Sequence, residues 1–217
     1  MTARRWLGRL LNLLYPPKCP FCGALSPGGE ASLCPRCEQA LPWAEGTFSA
    51  QGFDSGVFVL YYEGAVRESL LRYKFGGCSG YAGVYGPLLA QRIAEGLGGR
   101  FDLISYVPVS RWRRATRGYD QSELLARAVA RCYGVLPVAT LHKRRQNRTQ
   151  SQLHSADARR ANVSGVYTPV GPERFAGQRV LLIDDIVTTG ATLSEAARTL
   201  RAAGAADVVC AALAGKR

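Results

Sequence analysis

The 217 residues carry 28 Lys and Arg against 16 Asp and Glu, a formal net charge of +12, with 47% hydrophobic side chains. That apolar share supports a buried core and argues against a disordered chain, while no apolar run approaches the ~20 residues of a membrane helix. The length suits one full-sized domain with a small module attached.

Residues 1–15 are expected to form an amphipathic helix, with Trp6, Leu7, Leu10, Leu11 and Leu14 on one stripe and Arg4, Arg5 and Arg9 beside it. The stretch lacks a long apolar run and a small-residue cleavage site, so it does not read as a signal peptide. A cytoplasmic, reducing setting is therefore expected, with the seven cysteines unpaired. The helix docks on its own protein in the simplest reading; peripheral membrane association is the alternative.

Residues 16–43 are rich in Pro, Gly and Cys. Cys19-x-x-Cys22 is followed after eleven residues by Cys34-x-x-Cys37. Zn²⁺ prefers four tetrahedral thiolates, and each Cys-x-x-Cys turn supplies two sulfurs at a suitable separation. Four thiolates leave no position for water, so one structural zinc is expected and not a catalytic one. Residues 44–56, polar and turn-rich, read as a linker.

From Val57 to residue 217 strands and helices alternate. "VFVLYYE" reads as a strand, "AVRESLLRYKF" and "VYGPLLAQRIAEGL" as helices, and "DLISYVPV" as a strand. "DQSELLARAVARCY" is a helix opened by an Asp120/Glu123 capping box. "VSGVYTPV" and "VLLID" are strands, "TLSEAARTLRAAG" a helix, and "DVVCAALA" the last strand. This alternation predicts an α/β fold with a mostly parallel sheet. Residues 141–162 are polar, basic and poorly periodic, a length of connection that usually carries a function such as a lid.

The stretch "VLLIDDIVTTGATLSEAARTL" places Asp184 and Asp185 between an apolar strand and a Thr/Gly-rich run that opens a helix. Ligands of parallel sheets bind at the carboxyl ends of the strands. A helix start carries a partial positive charge, so the loop Ile186, Val187, Thr188, Thr189, Gly190, Ala191 and Thr192 can cradle a phosphate. No Walker lysine is present, which points to a phosphate monoester. The two carboxylates would then accept hydrogen bonds from vicinal hydroxyls, as on a ribose 5-phosphate. Thr192 and Glu195 forming an ordinary capping box is the plain alternative.

"VLLIDDIVTTGAT" resembles the phosphoribosyl pyrophosphate (PRPP) signature of type I phosphoribosyltransferases. The paired Cys-x-x-Cys motifs, "YKFGG" at residues 73–77, "VPVSRWRRATRGYDQSELLA" at 107–126 and "RTQSQLHSADARRANVSGVY" at 148–167 narrow the likeness. Together they resemble the ComF family of competence-associated proteins, over nearly the whole chain and in order. Ser110 stands where that family often has Pro, and Asp120 where Asn is common.

The resemblance implies a phosphoribosyltransferase domain with a hood, preceded by the zinc module. It also implies transfer of a pentosyl group from PRPP, with Mg²⁺, to an acceptor the sequence does not name. Asp184 and Asp185 would hold the ribose. Val109, Ser110, Arg111, Arg114 and Arg117 would receive the pyrophosphate, with Lys74 reaching it as well. Residues 143–160 would form the mobile hood, with Arg148 a further candidate for the pyrophosphate; Thr149, Gln152, Arg159 and, just beyond, Asn162 match the family pattern. A role in natural transformation follows from the same likeness.

Residues 100–160 hold 13 Lys and Arg against 4 Asp and Glu, +9 of the +12. A polyanionic partner is one reading. Single-stranded DNA would run along Arg113, Lys143, Arg144 and Arg145 and stack on Trp112 or Tyr119, in a protein that keeps the fold without catalysis. A third reading makes the zinc module a docking surface for a competence helicase or recombination mediator.

Overall fold

The computed structural model describes residues 16–26, 31–144 and 165–216. The expected N-terminal helix, and most of the hood, lie outside them. The main sheet has five strands: β1 (Phe48–Ala50), β2 (Phe53–Tyr61), β3 (Leu103–Tyr106), β6 (Arg179–Val187) and β7 (Asp207–Gly215). Their order is β1-β2-β7-β6-β3. β1 runs antiparallel to β2, and the other neighbours are parallel. A second, two-stranded antiparallel sheet pairs β4 (Leu141–Lys143) with β5 (Tyr167–Pro169).

The period-2 pattern of the central strands feeds both faces of the sheet. Leu181 and Ile183 of β6 with Val209, Ala211 and Leu213 of β7 join one core. That core is covered by α2 (Gly64–Phe75), α3 (Ala82–Leu97) and α5 (Gln121–Cys132). Val180 and Leu182 with Val208, Cys210 and Ala212 join the other, under α6 (Ala191–Ala202) and Phe175. Helices α5 and α6 both pack on β6, from opposite faces, so the carboxyl end of β6 is where the two helix layers part.

Three expectations are corrected. Residues 44–56 are not a free linker: β1 and the start of β2 lie inside them, and Trp43 bridges to Leu60. Val109 to Arg114, the segment expected to receive pyrophosphate as a loop, runs into a short helix, α4 (Arg111–Arg117); Ser110 caps it and Gly118, at φ 79°, ends it. The strand before the phosphate loop continues through both acids to Val187, so Ile186 and Val187 are strand residues.

Candidate active site and zinc module

In the N-terminal module, Cys19 N–H donates to the Ala24 carbonyl and Gly23 N–H to the Cys19 carbonyl, with Gly23 at φ 77°. That left-handed turn suits a residue without Cβ. The second pair sits on α1 (Pro35–Ala40), with Cys34 as its N-cap and Cys37 one turn in. The four Sγ atoms lie within 4.8 Å of one another. A tetrahedron of Zn–S bonds of ~2.3 Å separates its sulfurs by about 3.8 Å, so these four cysteines fit a structural zinc. The module is packed into the domain core through Cys19, Phe21, Cys37 and Leu41.

Asp184 and Asp185 lie near the carboxyl end of β6, each 8% exposed. Successive side chains of a strand point to opposite faces, and the two acids meet different neighbours. Asp185 takes an ion pair from Lys74 at the end of α2, Nζ to Oδ1 2.9 Å. Asp184 Oδ1 accepts from Ser122 Oγ at 2.9 Å and from the Asp185 N–H at 2.9 Å. Burial, with the Asp185 charge beside it, pushes Asp184 up to about 7, although Lys74 and these hydrogen bonds pull the other way.

Immediately beyond the acids, an open cleft of about 180 Å³ is lined by Asp184, Ile186, Val187, Thr188, Gly190, Ala191, Thr192 and Leu193. The cleft is small and opens at the carboxyl edge of the sheet. Gly190 caps α6 at φ 72°, without a side-chain cap, and a Cβ there would meet Ala50 Cβ at 3.1 Å. The Thr192/Glu195 capping box is therefore not made. Glu195 instead accepts from Gly165 N–H at 2.6 Å and pairs with Arg198 at 2.9 Å.

The groups assigned to pyrophosphate are divided. Val109 N–H is held by Asp120 Oδ2 at 2.8 Å, and Ser110 Oγ accepts from Arg113 N–H. Arg111 is exposed. Arg114 is turned to Glu123 at 3.1 Å, and Arg127 reaches the same carboxylate at 2.7 Å. Arg117 donates to Gln121 Oε1 at 2.9 Å and stacks over Phe75 at 4.7 Å; burial lowers its pKa, and the charge of Asp185 opposes that. Of that set, Lys74 and Arg117 are the ones drawn toward the acids.

Two residues read as a nucleic-acid surface face inward. Lys143 is intermediate in exposure and lies over the Tyr167 ring at 5.5 Å. Burial, with Arg113 nearby, pulls it down to about 8 against the attraction of Asp184. Arg113 thus belongs to the same charge cluster. Trp112 is 61% exposed. Tyr119 is partly buried and donates its hydroxyl to the Tyr73 carbonyl. Arg144 is exposed, with its N–H on the Val166 carbonyl. Arg145, Arg148, Thr149, Gln152, Arg159 and Asn162 lie outside the described residues.

The sequence reading missed Ser122, Tyr167 and Gln121. Ser122 was within reach of it, since the Asp120 cap places Ser122 at the start of a helix aimed at the sheet edge. Tyr167 and Gln121 carried no signal. Their buried Oη and Nε2 atoms lack a hydrogen-bond partner among the described residues.

A mostly parallel sheet with an acidic pair at its carboxyl edge and a cleft at a helix start is the arrangement expected of a phosphoribosyltransferase-type domain. Consistent with this, residues 116–217 match the phosphoribosyl transferase domain and residues 10–49 the double zinc ribbon domain. The chain is 32% identical to the DNA utilization protein YhgH of Salmonella typhi, over 88% of this chain and 80% of that protein. It is 28% identical to competence protein ComFC of Streptococcus pneumoniae, over 88% and 77%. With competence protein F of Haemophilus influenzae it shares 32% identity over 47% of this chain and 45% of that protein. The chain belongs to the ComF family.

Proposed function

We propose that this chain binds PRPP with Mg²⁺ at the carboxyl end of β6 and transfers its phosphoribosyl group to an acceptor during the use of incoming DNA. The observation that supports this most is the buried Asp184/Asp185 pair, of which Asp184 lines the cleft at the start of α6. An anion cleft alone fits any phosphate. Two carboxylates beside it repel anions and serve a ligand that carries hydroxyls next to its phosphate.

In this reading the 5-phosphate lies in the cleft formed by Thr188–Leu193, and the ribose 2- and 3-hydroxyls donate to Asp184 and Asp185. The acceptor attacks C1, the C1–O bond to pyrophosphate breaks, and its electron pair leaves with the pyrophosphate. Bound Mg²⁺, held mainly by the ligand and water, would neutralise charge on that leaving group. Lys74, Arg113, Arg117 and Lys143 surround the acids and stabilise the same developing negative charge. Ser122 fixes the Asp184 carboxylate so that its second oxygen faces the sugar. The hood, outside the described residues, would exclude water during transfer.

The test is calorimetric titration of PRPP and Mg²⁺ into the wild-type chain and an Asp184→Asn/Asp185→Asn variant. Each lost charged hydrogen bond is worth about 1.5–3 kcal/mol, so binding should weaken about 100-fold or more. A folded double variant that binds like wild type removes the assignment.

A second reading, binding of single-stranded DNA by a catalytically silent protein, is favoured by two exposed aromatics. Trp112 is 61% and Phe75 66% exposed, on basic α4 and at the end of α2. The logarithm of DNA affinity would then fall linearly with the logarithm of salt, with a slope of about −0.7 per phosphate contacted, and affinity would drop in a Trp112→Ala variant. PRPP binding that tracks Asp184 and Asp185 with no such DNA affinity decides against it.

A further inference from the structure

We propose that the zinc module positions Lys74, so that metal binding at the N-terminus sets the affinity of the Asp185 site; this rests on the PRPP reading above. The link is helix α2. Its Ser69, fully buried, donates to the Pro20 carbonyl and shares a 2.5 Å hydrogen bond with the Tyr85 hydroxyl. One turn on, Arg72 Nη2 donates to the Pro20 and Phe21 carbonyls at 2.9 and 3.3 Å. Pro20 and Phe21 are the two residues between Cys19 and Cys22, so both carbonyls belong to the first metal-binding turn. The Phe21 ring packs on Tyr85 at 5.7 Å, and Tyr85 meets Tyr73 edge-on at 5.4 Å. Tyr73 then ties α2 to the other side of the site, its hydroxyl donating to the Gln121 carbonyl at 2.8 Å and its own carbonyl accepting from Tyr119. Lys74 is the next residue, 2.9 Å from Asp185.

The carbonyls that hold Ser69 and Arg72 are fixed only while the Cys19–Cys22 turn keeps its shape. A four-thiolate site of this size takes most of its order from the metal. Loss of zinc releases Pro20 and Phe21, and with them the grip on the last turns of α2. Lys74 then loses its fixed position over Asp185. Ser69 and Arg72 are positioning residues: neither touches the acids.

The experiment uses the full chain in three forms: zinc-loaded wild type, wild type stripped with a chelator, and a zinc-loaded Ser69→Ala/Arg72→Met variant. Two readouts are taken, amide hydrogen exchange over residues 64–75 and PRPP·Mg²⁺ affinity. Expected are faster exchange in both altered forms and affinity about fivefold or more weaker in both, within the usual range of coupling between sites. The variant should keep one zinc per chain, and stripping it should weaken PRPP little further, because the link is already cut. Unchanged exchange together with unchanged affinity in the zinc-loaded variant overturns the proposal, whatever stripping does to the wild type. Faster exchange in a chain whose loaded wild type binds no PRPP leaves the link standing and removes the PRPP reading instead.

Discussion

Replacing Asp184 by Asn should make the protein more stable while costing it its ligand. Asp184 titrates near 7 in the fold against 3.8 for a free side chain, because burial and the Asp185 charge disfavour the carboxylate. Below pH 4 the group is protonated in folded and unfolded chains alike and contributes nothing. Between pH 4 and 7 the unfolded chain ionises it and the folded chain does not. Stability therefore falls with rising pH, by about 1.4 kcal/mol per pH unit. Above pH 7 the full penalty, about 4 kcal/mol, is in place. Asn keeps an oxygen for Ser122 Oγ and the Asp185 N–H, so the variant escapes the penalty without losing those bonds. The assay is urea denaturation of the zinc-loaded wild type and Asp184→Asn from pH 4.5 to 8.5, read as the difference between the two, which cancels the groups that do not feel Asp184 and leaves the Asp184–Asp185 pair. The variant should be about 4 kcal/mol more stable at pH 8, a rise in Tm of roughly 8–16 °C for a chain of this size, and the gap should close toward pH 4. A difference that stays flat with pH, or favours wild type at pH 8, would refute the reasoning. A gain in stability with loss of PRPP binding is the trade expected where a site is held against its own folding preference.

Two further substitutions test the surroundings. Gly190→Ala places a Cβ at φ 72° and 3.1 Å from Ala50 Cβ; a loss of about 1–2 kcal/mol in thermal or urea unfolding is expected, with PRPP affinity falling as the start of α6 shifts. Lys143→Met removes an amine whose folded value, about 8, lies below the ordinary 10.5. The folded chain releases that proton first, so the contribution of Lys143 is least favourable below pH 8 and improves as pH climbs to 10.5. The Met variant should be more stable by about 3 kcal/mol at pH 7, with the advantage fading by pH 10, as urea melts across that range would record.

The zinc spacing and the strand–helix alternation were legible because each rests on local pattern. The acidic pair was legible for the opposite reason: two charges at the end of "VLLI" break an apolar run and demand a cause. Helix α4 was not, since "RWRRATR" has no apolar stripe to mark a buried face, and none of its residues is buried. Strand β1 is three residues long, and it is set by pairing with β2 and not by its own composition. The Ser122–Asp184 bond joins residues 62 apart in sequence, and no local pattern announces such a contact. Lys143 looked like one of a surface run because its neighbours are Arg144 and Arg145. Its burial comes from Tyr167 across the β4–β5 pair.

The basic charge itself changes meaning once the fold is known. Read as a total, the +9 of residues 100–160 called for a polyanion. In the structure Arg114 and Arg127 share Glu123, Arg117 lies between Gln121 and Phe75, and Lys143, over the Tyr167 ring, feels the charge of Asp184. Much of the cluster therefore answers acids of the same chain. Asp120, Asp184 and Asp185 are buried together at one sheet edge, and carboxylates so placed need nearby cations if any is to remain ionised. In the PRPP reading the same cations would become partners of pyrophosphate once the ligand's hydroxyls occupy the acids, a balance that a flat DNA-binding surface would have no reason to keep.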